Sequence, residues 1–199
     1  MTRSRRGVSA EELQRILTSP EYLEQQRVQQ IRMNKLRAEL EAEMAPLIAE
    51  LREAGFDVSS VWKLKAMGRP YTAAIPILIR HFRLGYRQQI SGGISRSLGA
   101  KEAAPYWSEI VDLYVHAIDD DGKSGLADAL SVLVTLETLP EYLELLADPR
   151  NGESRIMFIR KLKRLKDPRA QAALEGLVDD PVLGIEARRT IRGISPNSQ

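Results

Sequence analysis

The sequence predicts an all-α protein, an α-α superhelix of about four to five helix pairs that follows a long N-terminal helical arm. Apolar residues recur at helical spacing, and the sustained alternation typical of β-strands is missing. Short helical segments are separated by regular turn signals, among them Asp148-Pro149, Asp167-Pro168 and Asp180-Pro181. In each of these pairs Asp suits a helix cap and Pro suits the first helical position. An apolar pattern also repeats at an interval of 29 residues, which indicates stacked helical units.

We expect four segments along the chain: a disordered N-terminus over 1–10, a helical arm over 11–44, a repeat domain over 45–194 and a disordered tail over 195–199. Pro46 is expected to kink the arm helix or to begin a new one, and Gly55 is expected to cap it. The arm is also where a homodimer is predicted to form. Its apolar residues are predicted to lie roughly on one stripe, formed by Leu23, Val28, Ile31, Leu36, Leu40, Leu47 and Leu51.

The repeat domain is predicted to consist of short antiparallel helices joined by tight turns. These helices are expected near 59–67, 71–84, 87–99, 102–118, 123–136, 138–147, 152–166, 169–178 and 181–192.

The 29-residue repeat is clearest between residues 126–150 and 154–180. Leu130, Leu133 and Leu136 recur as Ile159, Leu162 and Leu165, and the last two recur again as Ile191 and Ile194. One helix pair cannot bury both of its faces, so stacked pairs must supply the remaining core.

These residues resemble the HEAT-like repeats of the phycobilisome-lyase type. The resemblance covers about residues 45–194 and rests on SGGISRSLGAKEAAPYWSEIVDLY, RIMFIRKLKRLKDPRAQAALEGLVDDP and PVLGIEARRTIRG. The stretches APLIAELREAGFDVSSVWKL and RPYTAAIPILIRHF are similar to the opening of a common bacterial HEAT-repeat protein type. The resemblance implies a fold and no particular activity. Arg188 replaces an expected small or apolar residue, so the last unit is predicted to be a cap with a polar outer face.

The composition excludes several classes of site. The chain has no cysteine and two histidines, which removes thiolate chemistry and His-rich metal sites, so no metal or cofactor is predicted. No apolar run approaches the roughly 20 residues of a membrane span, and the N-terminus has no signal-peptide pattern, so a cytoplasmic location is expected. Nucleotide-binding and hydrolase motifs are missing. Ser91-Gly92-Gly93 is expected to permit close helix packing and not to bind phosphate.

Charge is unevenly distributed along the chain. The net charge is −9 over 101–149, +5 over 150–199, +4 over 1–37 and +2 over 38–100. An acidic belt on the second helices of the pairs is therefore predicted to bind another protein through a basic segment, with a solvated face as the alternative. Asp119, Asp120, Asp121 and Asp148 adjoin it. The predicted partner-binding residues are Glu109, Asp112, His116, Glu141 and Glu144.

The protein-binding module is expected to be an adaptor, a regulator or an immunity-type inhibitor, and the residues leave two alternative functions open. The first is nucleic-acid binding through the basic segments, with ordinary surface charge as its own alternative. The second is an enzyme: Trp107 and Asp112 resemble the aromatic and acidic residues of HEAT-like alkylpurine DNA glycosylases, and a bilin lyase is a related reading. Core packing of Trp107 is the preferred interpretation, and no enzymatic activity is predicted. The candidate nucleic-acid-binding residues are Arg160, Lys161, Lys163, Arg164, Arg188 and Arg189.

Overall fold

A computed structural model describes residues 9–193, and over that range the chain is all-helical with no β-strand. This confirms the predicted all-α class. Most of the disorder predicted for residues 1–10 and 195–199 falls on residues 1–8 and 195–199, which lie outside the described residues. Ala10, which that prediction also included, instead begins the first helix. Ser9 begins the described chain and caps the first helix, since its hydroxyl accepts a hydrogen bond from the Glu12 backbone N–H at 3.2 Å.

The chain divides into two units between Glu43 and Met44. The first unit contains α1 and the first two thirds of α2, and the second contains the other helices. The α-helices are α1 Ala10–Leu17, α2 Pro20–Glu53, α3 Ala74–Leu84, α4 Gln88–Ser97, α5 Trp107–His116, α6 Asp120–Leu133, α7 Leu139–Ala147, α8 Ile156–Leu165, α9 Pro168–Gly176 and α10 Gly184–Arg192. Short 3₁₀ segments occupy Val61–Lys63, Lys65–Met67, Lys101–Tyr106 and Pro149–Arg155.

The single apolar stripe predicted along the arm is not observed. Leu47 and Leu51 are buried, whereas Leu23, Val28 and Ile31 are each more than half exposed. Residues of an α-helix are rotated by about 100° per position, so Val28 and Ile31 fall well away from the face that carries the two buried leucines. The apolar stripe is therefore restricted to the C-terminal part of α2.

Pro46 does not begin a new helix, because α2 runs through it to Glu53. Proline removes the donor to the carbonyl four residues earlier, which here belongs to Ala42. Both residues are exposed, so water can solvate that carbonyl. The predicted cap at Gly55 is confirmed: Gly55 has a φ of +89°, and the Phe56 N–H donates to the Leu51 carbonyl at 2.9 Å, as in a Schellman motif.

Several predicted helices are shorter than expected. Residues 59–67 form 3₁₀ segments in place of an α-helix, and 102–118 is α-helical only from Trp107. Val61 and Leu64 are both fully buried, and a spacing of three residues aligns side chains on a 3₁₀ turn. In 102–118, Pro105 lies within the 3₁₀ segment, and an α-helix beginning near 102 would lack a backbone donor there. The helices predicted at 71–84, 152–166 and 181–192 likewise start at Ala74, Ile156 and Gly184.

Small residues allow α4 to pack closely against α6 and against the 3₁₀ segment Val61–Lys63. Gly92 and Gly93 lie inside α4 and are buried, as is Gly125 of α6. An added Cβ would overlap Trp62 and Val61 at Gly93, and the side chain of Ser95 at Gly125. These contacts confirm that Ser91-Gly92-Gly93 serves close helix packing.

The even-numbered helices pack in chain order, α4 on α6, α6 on α8 and α8 on α10. Three buried aromatic rings lie where α5, α7 and α8 meet. The ring of Phe158 meets those of Tyr114 and Tyr142 edge-on, with centroids 5.3 and 4.8 Å away. The Tyr142 hydroxyl donates to the Phe158 carbonyl at 2.9 Å. Aromatic packing thus joins α5, α7 and α8.

The 29-residue repeat is reflected in burial at four of its positions, since Leu130, Leu133, Ile159 and Leu162 are all buried. Leu136 is an exception with 59% exposure, because α6 ends at Leu133 and the extended Val134 turns the chain away from the helix axis. Leu165 and Ile191 are half-buried, and Ile194 lies outside the described residues.

All three Asp-Pro pairs act as caps. Asp167 caps α9 and accepts a hydrogen bond from the Arg169 N–H at 2.8 Å. Asp148 caps the 3₁₀ segment Pro149–Arg155. Asp180 accepts from the N–H groups of Val182 and Leu183 at 2.8 Å each, although α10 itself starts at Gly184.

The Asp148 cap should titrate at unusually low pH. The Arg150 side chain donates to Asp148 with Nη2 2.6 Å from Oδ2, and the Arg150 N–H donates at 2.9 Å; these bonds lower the pKa of Asp148 to about 2. A carboxylate with a lowered pKa stabilises the fold above its ordinary pKa of 3.8, and that stabilisation is lost as the pH falls towards 2. We expect a carboxyl ¹³C NMR titration to place its midpoint near 2.

Arg150→Gln provides the control for this titration. Glutamine keeps the backbone donor and removes the guanidinium, so the midpoint should move upward towards 3.8. An unchanged midpoint would show that the Arg150 side chain is not the cause.

Candidate protein-interaction site

The five predicted partner-binding residues lie on α5 and α7, and we call their surface the acidic face. It consists of Glu109, Asp112 and His116 on α5 with Glu141 and Glu144 on α7, and all five residues are exposed. The opposite sides of these helices are buried, with Ile110 in α5 and Leu145 in α7 among the core residues. Neither helix contains Lys or Arg, so the face has a negative charge of its own.

Trp107 holds one end of the acidic face in place. Its indole ring is buried, with 8% exposure, and its Nε1–H donates a hydrogen bond to Glu141 Oε2. This contact joins the start of α5 to α7. The structure thus confirms the core-packing interpretation of Trp107 and adds that this residue orients Glu141.

Asp112 forms ion pairs within the chain, which reduces the negative charge of the acidic face on α5. Arg83 Nη2 lies 3.5 Å from Asp112 Oδ2, and His116 Nδ1 lies 3.1 Å from Asp112 Oδ1. The latter is the i,i+4 Asp–His pair that the spacing predicts. In the described part of the chain, Glu109, Glu141 and Glu144 have no ion-pair partner, so these three carboxylates carry the uncompensated charge of the face.

A cleft adjoins the acidic face between the end of α3, α4 and the end of α5. Its volume is about 330 Å³. Phe82, Leu113 and Ile118 supply apolar lining, and the charged or titratable lining residues are Arg83, Asp112, His116 and Asp119. Ile118 is fully exposed, and Leu84, beside Arg83 in the chain, is 66% exposed. The cleft thus combines apolar surface with the acidic and imidazole groups of α5, which suits an apolar side chain next to a basic one.

The cleft was not predicted from the sequence. Arg83 and Asp112 are far apart in the chain, and no motif connects them. The one local feature is the apolar Ile118 directly before the Asp119–Asp121 run, but a single apolar residue at the surface is common and does not by itself indicate a cleft.

The acidic turns beside the face mostly have structural roles. Asp119 caps α6 by accepting from the Gly122 N–H at 2.6 Å, and Asp121 pairs with Arg96 at 3.2 Å. Asp148 is occupied by Arg150. Of the four adjoining acidic residues, these three contribute to folding, so the acidic face is narrower than the charge count suggests.

A buried histidine lies close by but belongs to the core. His81 Nδ1 is 2.8 Å from the Tyr86 hydroxyl, and Nε2 is 3.2 Å from Glu50 Oε1. Burial raises the pKa of Glu50, but the neighbouring His81 and Arg80 lower it by more than burial raises it, so the pKa lies below its usual value. This cluster fixes the C-terminal part of α2 against α3.

The interpretation of Trp107 and Asp112 as a base-recognition pair finds no geometric support at this cleft. Asp112 lines the cleft, whereas neither Trp107 nor Tyr106 is among the lining residues. Within residues 9–193, no group of three or more potential metal ligands lies close enough together to hold an ion.

The alternative nucleic-acid-binding residues are brought together on neighbouring helices. Arg160, Lys161, Lys163 and Arg164 lie on α8, and Arg188 and Arg189 lie on α10, which packs on α8. Lys161 is half-buried and the others are exposed. Arg188 donates to the Val178 carbonyl, so it also ties α10 to the turn before it.

Comparison of the chain with protein-family models, with curated proteins and with solved structures finds no match. None of the described helices is both long enough and apolar enough to cross a membrane.

Proposed function

We propose that this chain is a protein-binding module that takes a basic, partly apolar segment of its partner on the acidic face and in the adjoining cleft. The observation that carries the proposal is the position of the cleft. It places the exposed Ile118 and an apolar lining directly beside Asp112 and His116 of the acidic face. An apolar anchor would supply binding energy, and the surrounding carboxylates would supply orientation and faster association.

Glu109 and Glu144, two of the three carboxylates without an ion-pair partner, extend the site beyond the cleft. Glu109 lies on the same helix as Asp112, and Glu144 lies one turn from the Trp107-held Glu141. A partner with a positive charge next to an apolar residue, followed by further positive charges, matches this arrangement. Asp112 and His116 are exposed and paired with each other.

We further propose that the second unit is a HEAT-like solenoid of helix pairs. The packing of α4, α6, α8 and α10 in chain order supports it, as does the 29-residue spacing of buried leucines and isoleucines. In repeat proteins of this type each unit contacts mainly its neighbours and the stacked second helices form an extended binding surface. The acidic face on α5 and α7 would then occupy consecutive second helices.

The proposal predicts selective binding of basic, apolar-containing peptides. We would screen an array of 12-residue peptides in which Lys or Arg alternates with Leu or Phe, beside apolar-only and acidic peptides. The test variant is Glu109→Lys/Glu144→Lys, because both side chains are exposed and unpaired within the described residues. We expect wild type to retain the basic peptides and the variant to bind them at least about tenfold more weakly.

The matched control is Glu175→Lys/Asp179→Lys, which makes the same charge change at exposed positions around α9. It should bind the basic peptides as wild type does. An equal loss in both variants would mean that binding follows net charge and not the acidic face. A third variant, Ile118→Asp, should weaken binding of the apolar-containing peptides, and unchanged binding would remove the cleft from the site.

A further inference from the structure

A second charged surface lies on α8 and α10, and we call it the basic surface. The two helices together contain seven basic residues and one acidic residue. Six of the basic residues are exposed and define the surface: Arg160, Lys163 and Arg164 of α8, with Arg188, Arg189 and Arg192 of α10.

The core contacts explain why these cations share one side. Phe158, Ile159 and Leu162 are buried on α8, as are Gly184, Ala187 and Thr190 on α10. Because α8 and α10 pack on each other, their solvent faces adjoin. The helical periods therefore leave the arginines of both helices on neighbouring exposed faces.

A shallow groove of about 320 Å³ marks the junction of the two helices. It is lined by Arg160, Lys163, Glu186, Arg189 and Thr190. Glu186 lies 3.9 Å from Arg160 Nε and 3.9 Å from Arg189 Nη1. Glu186 lies between the guanidinium groups of Arg160 and Arg189. Because it is the one carboxylate of the groove and there are three cations, the groove has a net positive charge.

We propose that the basic surface binds the phosphate backbone of a double-stranded nucleic acid without reading its bases. Five of the six exposed cations are arginines, whose planar guanidinium groups donate two parallel hydrogen bonds to phosphate oxygens. Several such contacts on one surface release condensed counterions, which is the main source of affinity in backbone binding. This site is independent of the acidic face and extends beyond the proposed protein-binding function.

The residues of α8 and α10 favour a duplex over a single strand. Single-strand binders stack bases on exposed aromatic rings. In the described residues of these two helices, Phe158 is the one aromatic residue, and it is buried. An anionic membrane would be the alternative partner, but stable insertion needs an exposed apolar face, and Ile185 is the one large apolar side chain of these helices that is mostly exposed.

The test measures binding of the full chain to a fluorescein-labelled 20-base-pair DNA duplex by fluorescence anisotropy, from 50 to 200 mM salt. The variant is Arg160→Gln/Arg164→Gln/Arg189→Gln/Arg192→Gln, all exposed positions. Each lost phosphate contact should reduce the slope of log K against log salt by about 0.9. We expect the variant to bind at least about tenfold more weakly at low salt, with a slope smaller by up to about 3.6 if all four phosphate contacts are lost.

The matched control, Arg15→Gln/Arg27→Gln/Arg32→Gln/Arg37→Gln, removes the same charge from exposed positions of α1 and α2. It should keep most of the affinity and the salt slope. An equal loss in both variants, or no duplex binding by wild type at 50 mM salt, would overturn the proposal. So would equally tight binding to polyglutamate, or tighter binding to phosphatidylserine vesicles than to the duplex. Circular dichroism melting of each variant establishes that it is folded.

Discussion

Replacing Phe158 with alanine is expected to lower the free energy of unfolding by about 3–5 kcal/mol, the usual cost of removing a buried aromatic ring. The Phe158 side chain is fully buried. It lies edge-on between Tyr114 and Tyr142 at an interplanar angle of 83° to each ring. Its removal would leave a cavity where α5, α7 and α8 meet, and two tyrosine rings would lose their shared partner.

Urea unfolding followed by circular dichroism and by tryptophan fluorescence measures this loss. Phe158→Leu should cost less than the alanine variant, because leucine refills part of the cavity. Val115→Ala serves as the exposed control, since Val115 lies in α5 with 48% of its surface accessible, and it should change stability by about 0.5 kcal/mol or less. If Phe158→Ala were no more destabilising than Val115→Ala, the three rings would not be a main element of the core.

The sequence identified most helices because its apolar positions and its turn residues agree. Asp167 and Gly55 illustrate this: each has a side chain or backbone geometry that suits one end of a helix, and each is found there. Such signals depend on neighbouring residues alone, so helix ends of this kind can be predicted without knowledge of the fold. The prediction of an α-helix over residues 59–67 was wrong because the local signal there was ambiguous. Val61 and Leu64 satisfy a helical spacing of three, but that spacing does not distinguish a 3₁₀ turn from an α-helix.

The candidate site was only partly predictable, because its charges depend on contacts distant in sequence. Exposure of Glu109 and Glu144 follows from the helical period alone. The pairing of Asp121 with Arg96, and of Asp112 with Arg83, does not, since each pair spans more than one helix. A count of acidic residues therefore overestimates the charge available to a partner. The cleft was missed for the same reason, because its lining combines α3 with the end of α5.

Removing the carboxylate of Asp180 should destabilise the second unit by about 3–5 kcal/mol, because it leaves a buried guanidinium unpaired. Arg155 is 2% exposed, and its Nη1 lies 3.1 Å from Asp180 Oδ2. The same guanidinium donates to the carbonyls of Leu146 and Gly152. Burial raises the pKa of Asp180, but backbone donors and Arg155 lower it by more than burial raises it. The stabilisation from the ionised Asp180 is therefore present at neutral pH and is lost as the pH falls through the lowered pKa.

Two variants separate the ion pair from the cap that Asp180 also forms. Asp180→Asn retains a good capping side chain and removes the charge, so it should cost less than Asp180→Ala. The double variant Arg155→Met/Asp180→Ala should recover part of the loss, because methionine leaves no charge buried. Urea unfolding of wild type, Arg155→Met, Asp180→Ala and Arg155→Met/Asp180→Ala completes a double-mutant cycle. A coupling energy near zero would show that Arg155 is stabilised by its carbonyl contacts alone, and that the buried ion pair adds nothing to the stability of this fold.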